Sequence, residues 1–280
     1  SELDTLQVRS LSNLAYQSFK FGDTLLFKKQ NKEVLTIAEK LNDSYSIGDI
    51  HWNYASFYNK KQVYDSAYYH FYLAHSSFNK KDYVYESAKT QYGMAFIKGR
   101  FKDYSGSEVL TFKAIDKFKK IENYKSLFSC YNHLGSLQND IYEYDRSLFY
   151  HNKALEYLGK LKNNQTQYTA SLNNIGNTYL KKKDYVKAIK YFNQVLDIKN
   201  IKSQNIKHYA RVLSNKAYTN LLIKDTIDVA NHLTEALHIR DSLNHKSGII
   251  ISKMHFARFL AYKQDTVKAI SYAEEANSLA

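Results

Sequence analysis

Small residues recur at a nearly constant interval along this chain. One series is Ala15, Ala55, Gly93, Gly135, Gly176, Ala217 and Ala257, with steps of 40, 38, 42, 41, 41 and 40 residues. A second series is Ala38, Ala74, Ala114, Ala154, Val195, Ala236 and Ala276, with steps of 36, 40, 40, 41, 41 and 40 residues. Two independent series with the same period indicate seven copies of one structural unit, stacked in chain order.

The spacing inside one copy predicts two helices. Apolar or small residues at positions 172, 175, 176 and 179 fall on one helical face, and those at 188, 192 and 195 fall on another. A polar turn at 181–184 separates the two helices, which we name helix A and helix B of a repeat. A small residue on helix A would let helix B approach at short range.

This unit resembles the tetratricopeptide repeat, which carries a large apolar residue, Leu-Gly and Tyr on helix A, then Ala, an aromatic residue and Ala on helix B. The residues in those places are Leu172, Ile175, Gly176, Tyr179, Ala188, Phe192 and Val195. The resemblance implies an all-α fold, a right-handed α-solenoid superhelix of about seven helix-turn-helix repeats and 14 helices. It predicts one domain over 1–280, with repeats at 4–42, 46–80, 83–122, 124–161, 165–200, 204–243 and 246–280.

The chain contains no proline, although the family often places one between repeats. The long period indicates extra helical turns in place of that break. Asp and Ser or Thr precede an apolar residue in six segments, beginning at Asp4, Asp23, Asp65, Asp225, Asp241 and Asp265. Capping of helix N-termini explains most of them, although the pattern also resembles acceptor sites for O-glycosylation on exported bacterial proteins.

No arrangement of residues predicts catalysis. The nine glycines form neither a dinucleotide fingerprint nor a phosphate-binding loop. The ten histidines are scattered, and His70 and His151 fall among packing positions of helix B. The single cysteine, Cys130, is expected to be a buried and inert thiol. We therefore expect no enzyme, no metal site and no cofactor.

The chain is basic, with 40 Lys and Arg against 27 Asp and Glu, a net charge of +13. Its lysines cluster at the turns, where several complement the dipole at a helix C-terminus. This pattern favours a solvated edge over a nucleic-acid surface, although salt-sensitive attraction to an anionic partner stays open. No apolar run approaches 18 residues, so the sequence predicts no membrane span.

In the family, helix A lines the inner groove of the superhelix. Its pattern places the following residues in a peptide- or partner-binding groove: Trp52, Asn59, Asn132, Ser136, Asn139, Asn173, Asn177, Lys181 and Tyr218. The same rule adds Ser56, Thr90, Met94, Ser214, Leu222, Met254 and Arg258. An asparagine amide offers a donor and an acceptor, which match the backbone of an extended peptide. The alternative is that these are simply hydrated positions in an Asn-rich chain.

Long-period arrays of this kind resemble the sensor segments of bacterial signalling proteins. The resemblance implies a non-enzymatic module that binds a protein or an extended peptide, in the sensing or partner-binding region of a signalling or transcriptional regulator. A scaffold that assembles a complex through its convex face or its ends is the alternative. We expect a fragment of a longer protein, extracytoplasmic and membrane-anchored, with a cytoplasmic location and a homo-oligomer left open.

Overall fold

The computed structural model describes residues 4–80 and 83–280. Within these residues it has fifteen α-helices and no strand. The helices are α1 Thr5–Lys20, α2 Thr24–Lys40, α3 Ser44–Lys60, α4 Tyr64–Asn79, α5 Val84–Arg100, α6 Tyr104–Lys120, α7 Tyr124–Asp140, α8 Tyr144–Leu158, α9 Gln165–Lys181, α10 Tyr185–Leu196, α11 Ile201–Gln204, α12 Ile206–Leu222, α13 Val229–Ser242, α14 Lys246–Tyr262 and α15 Thr266–Leu279. The all-α fold of consecutive helical repeats is confirmed.

One helix more than expected is present. The short α11 lies between α10 and α12, where the sequence predicted the end of a repeat. Asn200 adopts a left-handed backbone conformation (φ 61°) between the end of α10 and the start of α11, so α11 is a separate helix. Ile201 is then only 3 % exposed and joins the core around Leu172 and Val212. Burial of this one isoleucine accounts for the extra turn.

The chain divides into two compact units, Ser1–Leu137 and Gln138–Ala280. In the first unit, α3 contacts α1, α2 and α4. In the second, α12 contacts its partner α13 and also α9 and α14, the A helices of the neighbouring repeats. Each unit therefore has its own stack of A helices. The single domain over 1–280 stays a prediction.

The small residues of the repeat sit against aromatic rings of helix B. A Cβ atom built on Gly176 would lie 2.5 Å from Cε1 of Phe192, and one built on Gly93 would lie 2.7 Å from Cε1 of Phe71. Phe192 is fully buried between α9 and α10. Gly176 thus permits close approach of α9 and α10 within one repeat, and Gly93 permits close approach of α5 to α4, helix B of the preceding repeat.

Gly22 (φ 89°) makes the turn between α1 and α2, but most turns end a helix with a left-handed residue other than glycine and without proline. Positive φ values between 48° and 68° occur between paired or successive helices at Asn42, Gln62, Lys102, Glu122, Tyr142, Lys183, Lys224, Asn244 and Gln264. Such a residue just after a helix ends the helix and lets the following backbone N–H groups bond to its last carbonyls. The chain can then reverse direction within about three residues.

Aspartate caps several helices, as the sequence predicted, but not all of them. The side chains of Asp4, Asp23 and Asp265 each accept a hydrogen bond from a backbone N–H three residues on. The expected cap at Asp65 is wrong: Val63 is the N-cap of α4, and Asp65 lies in its first turn. Among the described helices, none is long and apolar enough to span a bilayer.

Candidate functional site

The first unit carries an open cavity of about 540 Å³ on its A helices α1, α3 and α5. We name it the aromatic cavity. Its lining residues are Tyr16, Phe19, Trp52, Ser56, Asn59, Lys60, Phe71, Lys89, Tyr92, Gly93 and Phe96. Three of the residues named from sequence, Trp52, Ser56 and Asn59, lie here together, and Asn59 is half-buried.

A lysine stands over the indole ring in this cavity. The Nζ atom of Lys89 lies 3.3 Å from the centroid of the Trp52 ring, and the ring of Tyr16 lies 5.4 Å from the same ring. Burial lowers the pKa of Lys89, while the carboxylates of Asp49 and Glu86 act in the opposite direction. A cation over an aromatic face is held by the ring quadrupole. The wall of the aromatic cavity therefore offers both a hydrogen-bond donor, the ammonium group of Lys89, and the apolar surface of aromatic rings.

The second unit contains a cluster of three asparagines from two neighbouring A helices. The amide nitrogen of Asn215 on α12 donates to Oδ1 of Asn173 and to Oδ1 of Asn177 on α9, at 3.0 Å each. Both hydrogens of one amide are used, so two repeats are joined by side chains. Asn173 is only 1 % exposed. It therefore supports its neighbours instead of facing a ligand, which corrects the expectation from sequence.

Replacing Asn215 by aspartate should destabilise the second unit. The carboxylate would lie against two amide oxygens and could donate to neither, so we expect a loss of about 2–4 kcal/mol. Urea unfolding followed by circular dichroism at pH 7 measures it. The exposed Asn152 on α8 provides the control, because Asn152→Asp changes the charge equally at a solvated position. Equal unfolding midpoints for the two variants would show that the cluster has no role in stability.

A second cavity, of about 390 Å³, lies in the second unit among α12, α13 and the start of α14. We name it the basic cavity. Its lining residues are Asn177, Asn205, Lys207, His208, Ala210, Arg211, Asn215, Ile239, Arg240, Leu243, His245, Ser247, Gly248 and Ile251. Asn177 is the only one of these named from sequence, and it joins the asparagine cluster to the cavity wall. No aspartate or glutamate lines this cavity.

The remaining residues named from sequence lie in separate surroundings. Tyr218 is half-buried and stacks on the ring of His255, with centroids 4.6 Å apart. Lys181 is exposed, with Nζ at 3.9 Å from a carboxylate oxygen of Asp140. On α7, Ser136 is exposed and donates to the backbone carbonyl of Asn132 at 3.2 Å. Their roles in binding stay predictions.

Asn139, also on α7, has a buried carbonyl oxygen with no hydrogen-bond partner among the described residues. Three further groove positions are wrong, since Thr90, Met94 and Ser214 are buried. The hydroxyl of Ser214, for example, lies 2.8 Å from Nδ1 of His255 on the next A helix. The hydroxyl of Thr90 lies 3.4 Å from Nδ1 of His75 on α4, and Met94 packs in the core cluster of Ala55 and Phe71. At these positions a neighbouring helix covers a side chain that the family pattern places in the groove.

Sequence reasoning also missed residues of both cavities. Tyr16 directly follows the small residue Ala15, the same relative position that had selected Asn177 and Tyr218. The pattern could therefore have found it. Lys89 and Arg240 had no such signal, because their positions within the repeat are not groove positions of the family.

Comparison with known proteins supports this architecture. The family model described as tetratricopeptide repeat matches residues 170–199. No match is found among curated proteins. Among solved structures, the apo form of RapI has a TM-score of 0.78 at 14 % identity and covers 98 % of both chains. Aspartyl phosphate phosphatase F from Bacillus subtilis has a TM-score of 0.76 at 13 % identity, over 99 % of this chain and 73 % of that one.

NprR in complex with its cognate peptide NprX is also similar, with a TM-score of 0.64 at 12 % identity, over 99 % of this chain and 80 % of that one. At these identities the likeness shows the fold. The chain therefore has the tetratricopeptide-repeat fold, and residues 170–199 match the repeat of that family.

Proposed function

We propose that this chain is a non-enzymatic module that binds a peptide or protein segment, and that it is the sensing or partner-binding region of a bacterial regulator. The observation that carries the proposal is the aromatic cavity on the A helices of the first unit. The fold shared with NprR, which has been solved with its cognate peptide, adds support.

The cavity has the composition that a peptide side chain needs. Its volume of about 540 Å³ lies within the usual range of ligand sites, about 300–1,000 Å³. The rings of Tyr16, Trp52 and Phe96 offer apolar contact area at small cost in side-chain entropy. The amide of Asn59 can donate to and accept from a peptide bond, and Lys89 can bind a carbonyl or a carboxylate. An apolar side chain would enter between the rings while its backbone is held at the rim.

Trp52 makes this cavity directly observable. It is the only tryptophan of the chain, so fluorescence excited at wavelengths that the 26 tyrosines do not absorb reports on the aromatic cavity alone. Peptides selected from a random library against the full chain can be titrated while the emission of Trp52 is recorded. A peptide that enters the cavity should exclude water and displace Lys89 from the indole face. Both changes would shift the emission maximum.

Replacing Asn59 by alanine should weaken such peptides about five- to tenfold, the equivalent of one net hydrogen bond of about 1 kcal/mol. The unfolding midpoint should stay unchanged because the side chain is only half-buried. Asn152→Ala, at an exposed position on α8, is the matched control. Selected peptides that bind both variants as tightly as the unchanged chain, with no response from Trp52, would exclude the aromatic cavity as their site.

The scaffold alternative has its own observation in the first unit. Large apolar side chains are exposed on two B helices at positions one repeat apart: Tyr69 and Tyr72 on α4 are 58 % and 55 % exposed, and Val109 and Phe112 on α6 are 53 % and 38 % exposed. A partner that is lost on Tyr69→Ser with Val109→Ser, yet binds the Asn59→Ala variant normally, would favour assembly through this face.

A further inference from the structure

An arginine is buried in the second unit without a carboxylate partner. Arg240, near the end of α13, is only 5 % exposed. Its Nη1 donates to the carbonyl oxygen of Gly248 at 3.0 Å and to the hydroxyls of Ser252 at 2.5 Å and Ser214 at 3.4 Å. All three acceptors are neutral. Buried charges in proteins are normally paired, because desolvation of a lone ion is costly.

The rest of the basic cavity increases this positive charge. Lys207 and Arg211 on α12 are exposed and line the same cavity as Arg240. His208 and His245 complete the wall, and Nδ1 of His208 lies 2.7 Å from Oδ1 of Asn205. The pKa of His245 is lowered by burial first, and then by the charges of Arg240, Arg211 and Lys207. Three cations thus act on one point of the cavity.

Carboxylates elsewhere in this unit do pair with lysines. The Nζ atom of Lys202 lies 2.5 Å from Oε1 of Glu235, and Lys253 forms an ion pair with Glu275. The cavity residues Lys207, Arg211 and Arg240 have no such ion pair among the described residues. Burial and the nearby Arg211 accordingly lower the pKa of Arg240 to about 10. No carboxylate among the residues that line this cavity balances its positive charge.

We infer that the basic cavity binds the phosphoryl group of a small phosphorylated molecule, with Arg240 at its base and Arg211 and Lys207 at its mouth. A phosphoryl dianion balances most of the three permanent charges, whereas one carboxylate would balance a single charge. Arginine forks bind phosphate oxygens in pairs. The volume of about 390 Å³ exceeds what inorganic phosphate needs, and Ile239, Leu243 and Ile251 offer apolar contact to the rest of the molecule.

This site is independent of the proposed peptide site, because the two cavities lie in different units and share no residue. Isothermal titration of the full chain at fixed ionic strength with inorganic phosphate, phenyl phosphate and benzoate tests it. Phenyl phosphate and benzoate carry the same ring, so they compare the phosphoryl group with a carboxylate. We expect phenyl phosphate to bind at least as tightly as phosphate, and benzoate to bind at least tenfold more weakly.

Arg211→Gln and Lys207→Gln should each weaken phenyl phosphate about tenfold without loss of folding, because both side chains are exposed. Lys190→Gln, at an exposed position on α10 outside the cavity, should change nothing. Asn59→Ala should leave phosphate binding intact, which separates this site from the aromatic cavity. Absence of phosphate binding, equal binding of benzoate, or full affinity in the Arg211→Gln and Lys207→Gln variants would each overturn the inference.

Discussion

Replacing Phe192 by alanine is expected to lower the free energy of unfolding of the second unit by about 3–5 kcal/mol. The ring is fully buried and packs among Leu172, Ala188, Val195 and Val212, the residues that join α9 and α10 to α12. Its removal leaves a cavity that three helices border and that none can fill by moving alone. Urea unfolding followed by far-ultraviolet circular dichroism measures the loss.

The same contact can be tested from the side of the glycine. In Gly176→Ala the new methyl group would lie 2.5 Å from Cε1 and 2.9 Å from Cδ1 of Phe192. Alanine favours an isolated helix by about 1 kcal/mol over glycine, yet overpacking a core costs about 1–3 kcal/mol. We therefore expect net destabilisation. In the double variant Gly176→Ala with Phe192→Leu the smaller side chain makes room, so the two losses should not add.

Gly159→Ala is the control for the glycine substitution. Gly159 caps α8 with an ordinary helical φ of −59°, and the nearest atoms to an added Cβ lie at 3.5 Å or more. This variant should be neutral or slightly more stable, because alanine restricts the unfolded chain. If Gly176→Ala were equally harmless, or if the double variant lost the full sum of both single changes, the proposed contact between helix A and helix B would not limit their approach.

The same reasoning explains how much of the fold could be predicted from the sequence. Helical geometry ties burial to spacing, so a repeated small residue with an aromatic partner specifies which faces meet. Phe192 and Val195 are fully buried where the pattern placed them. The turn at Asn200 and the short α11 could not be predicted, because they depend on one left-handed residue and one isoleucine finding space in the core.

The candidate sites were less accessible to sequence reasoning because they depend on neighbouring repeats. Periodicity predicts which face of α9 carries Asn173, but not that Asn215, 42 residues later, covers it. The basic cavity draws Lys207, Arg211, Arg240 and His245 from α12, α13 and the turn before α14. No run of charge marks them in the sequence. Trp52 and Asn59 could be predicted from the sequence because they lie on one face of a single helix, α3.

Acidification from pH 7 to pH 5 is expected to destabilise both units, because several buried or half-buried histidines are held neutral. Burial lowers the pKa of His51 and His133 in the first unit to about 4 each, and the neighbouring His70 ring and Arg100 guanidinium, respectively, act in the same direction. In the second unit, burial and then the charges of Arg240 and Arg258 lower the pKa of His255 to about 3.

The sign follows from proton counting. An unfolded histidine titrates near pH 6.5, so below that pH the unfolded chain binds protons that the folded chain excludes. Stability is therefore full above pH 6.5, falls as the pH drops towards about 4, and levels off below the folded pKa. At pH 5 each such histidine costs about 2 kcal/mol relative to pH 7. Carboxylates with lowered pKa, such as Asp184 and Asp265, act only at lower pH.

Urea titrations at several pH values between 5 and 7 give the free energy of unfolding at each pH. The slope of that free energy against pH gives the number of protons that the chain takes up on unfolding. His255→Gln should reduce that number by about one in the second unit, because glutamine cannot titrate. Its amide can replace the hydrogen bond between Nδ1 of His255 and the hydroxyl of Ser214. A slope that His255→Gln leaves unchanged would mean that the ring of His255, stacked on Tyr218, is open enough to be protonated in the folded chain.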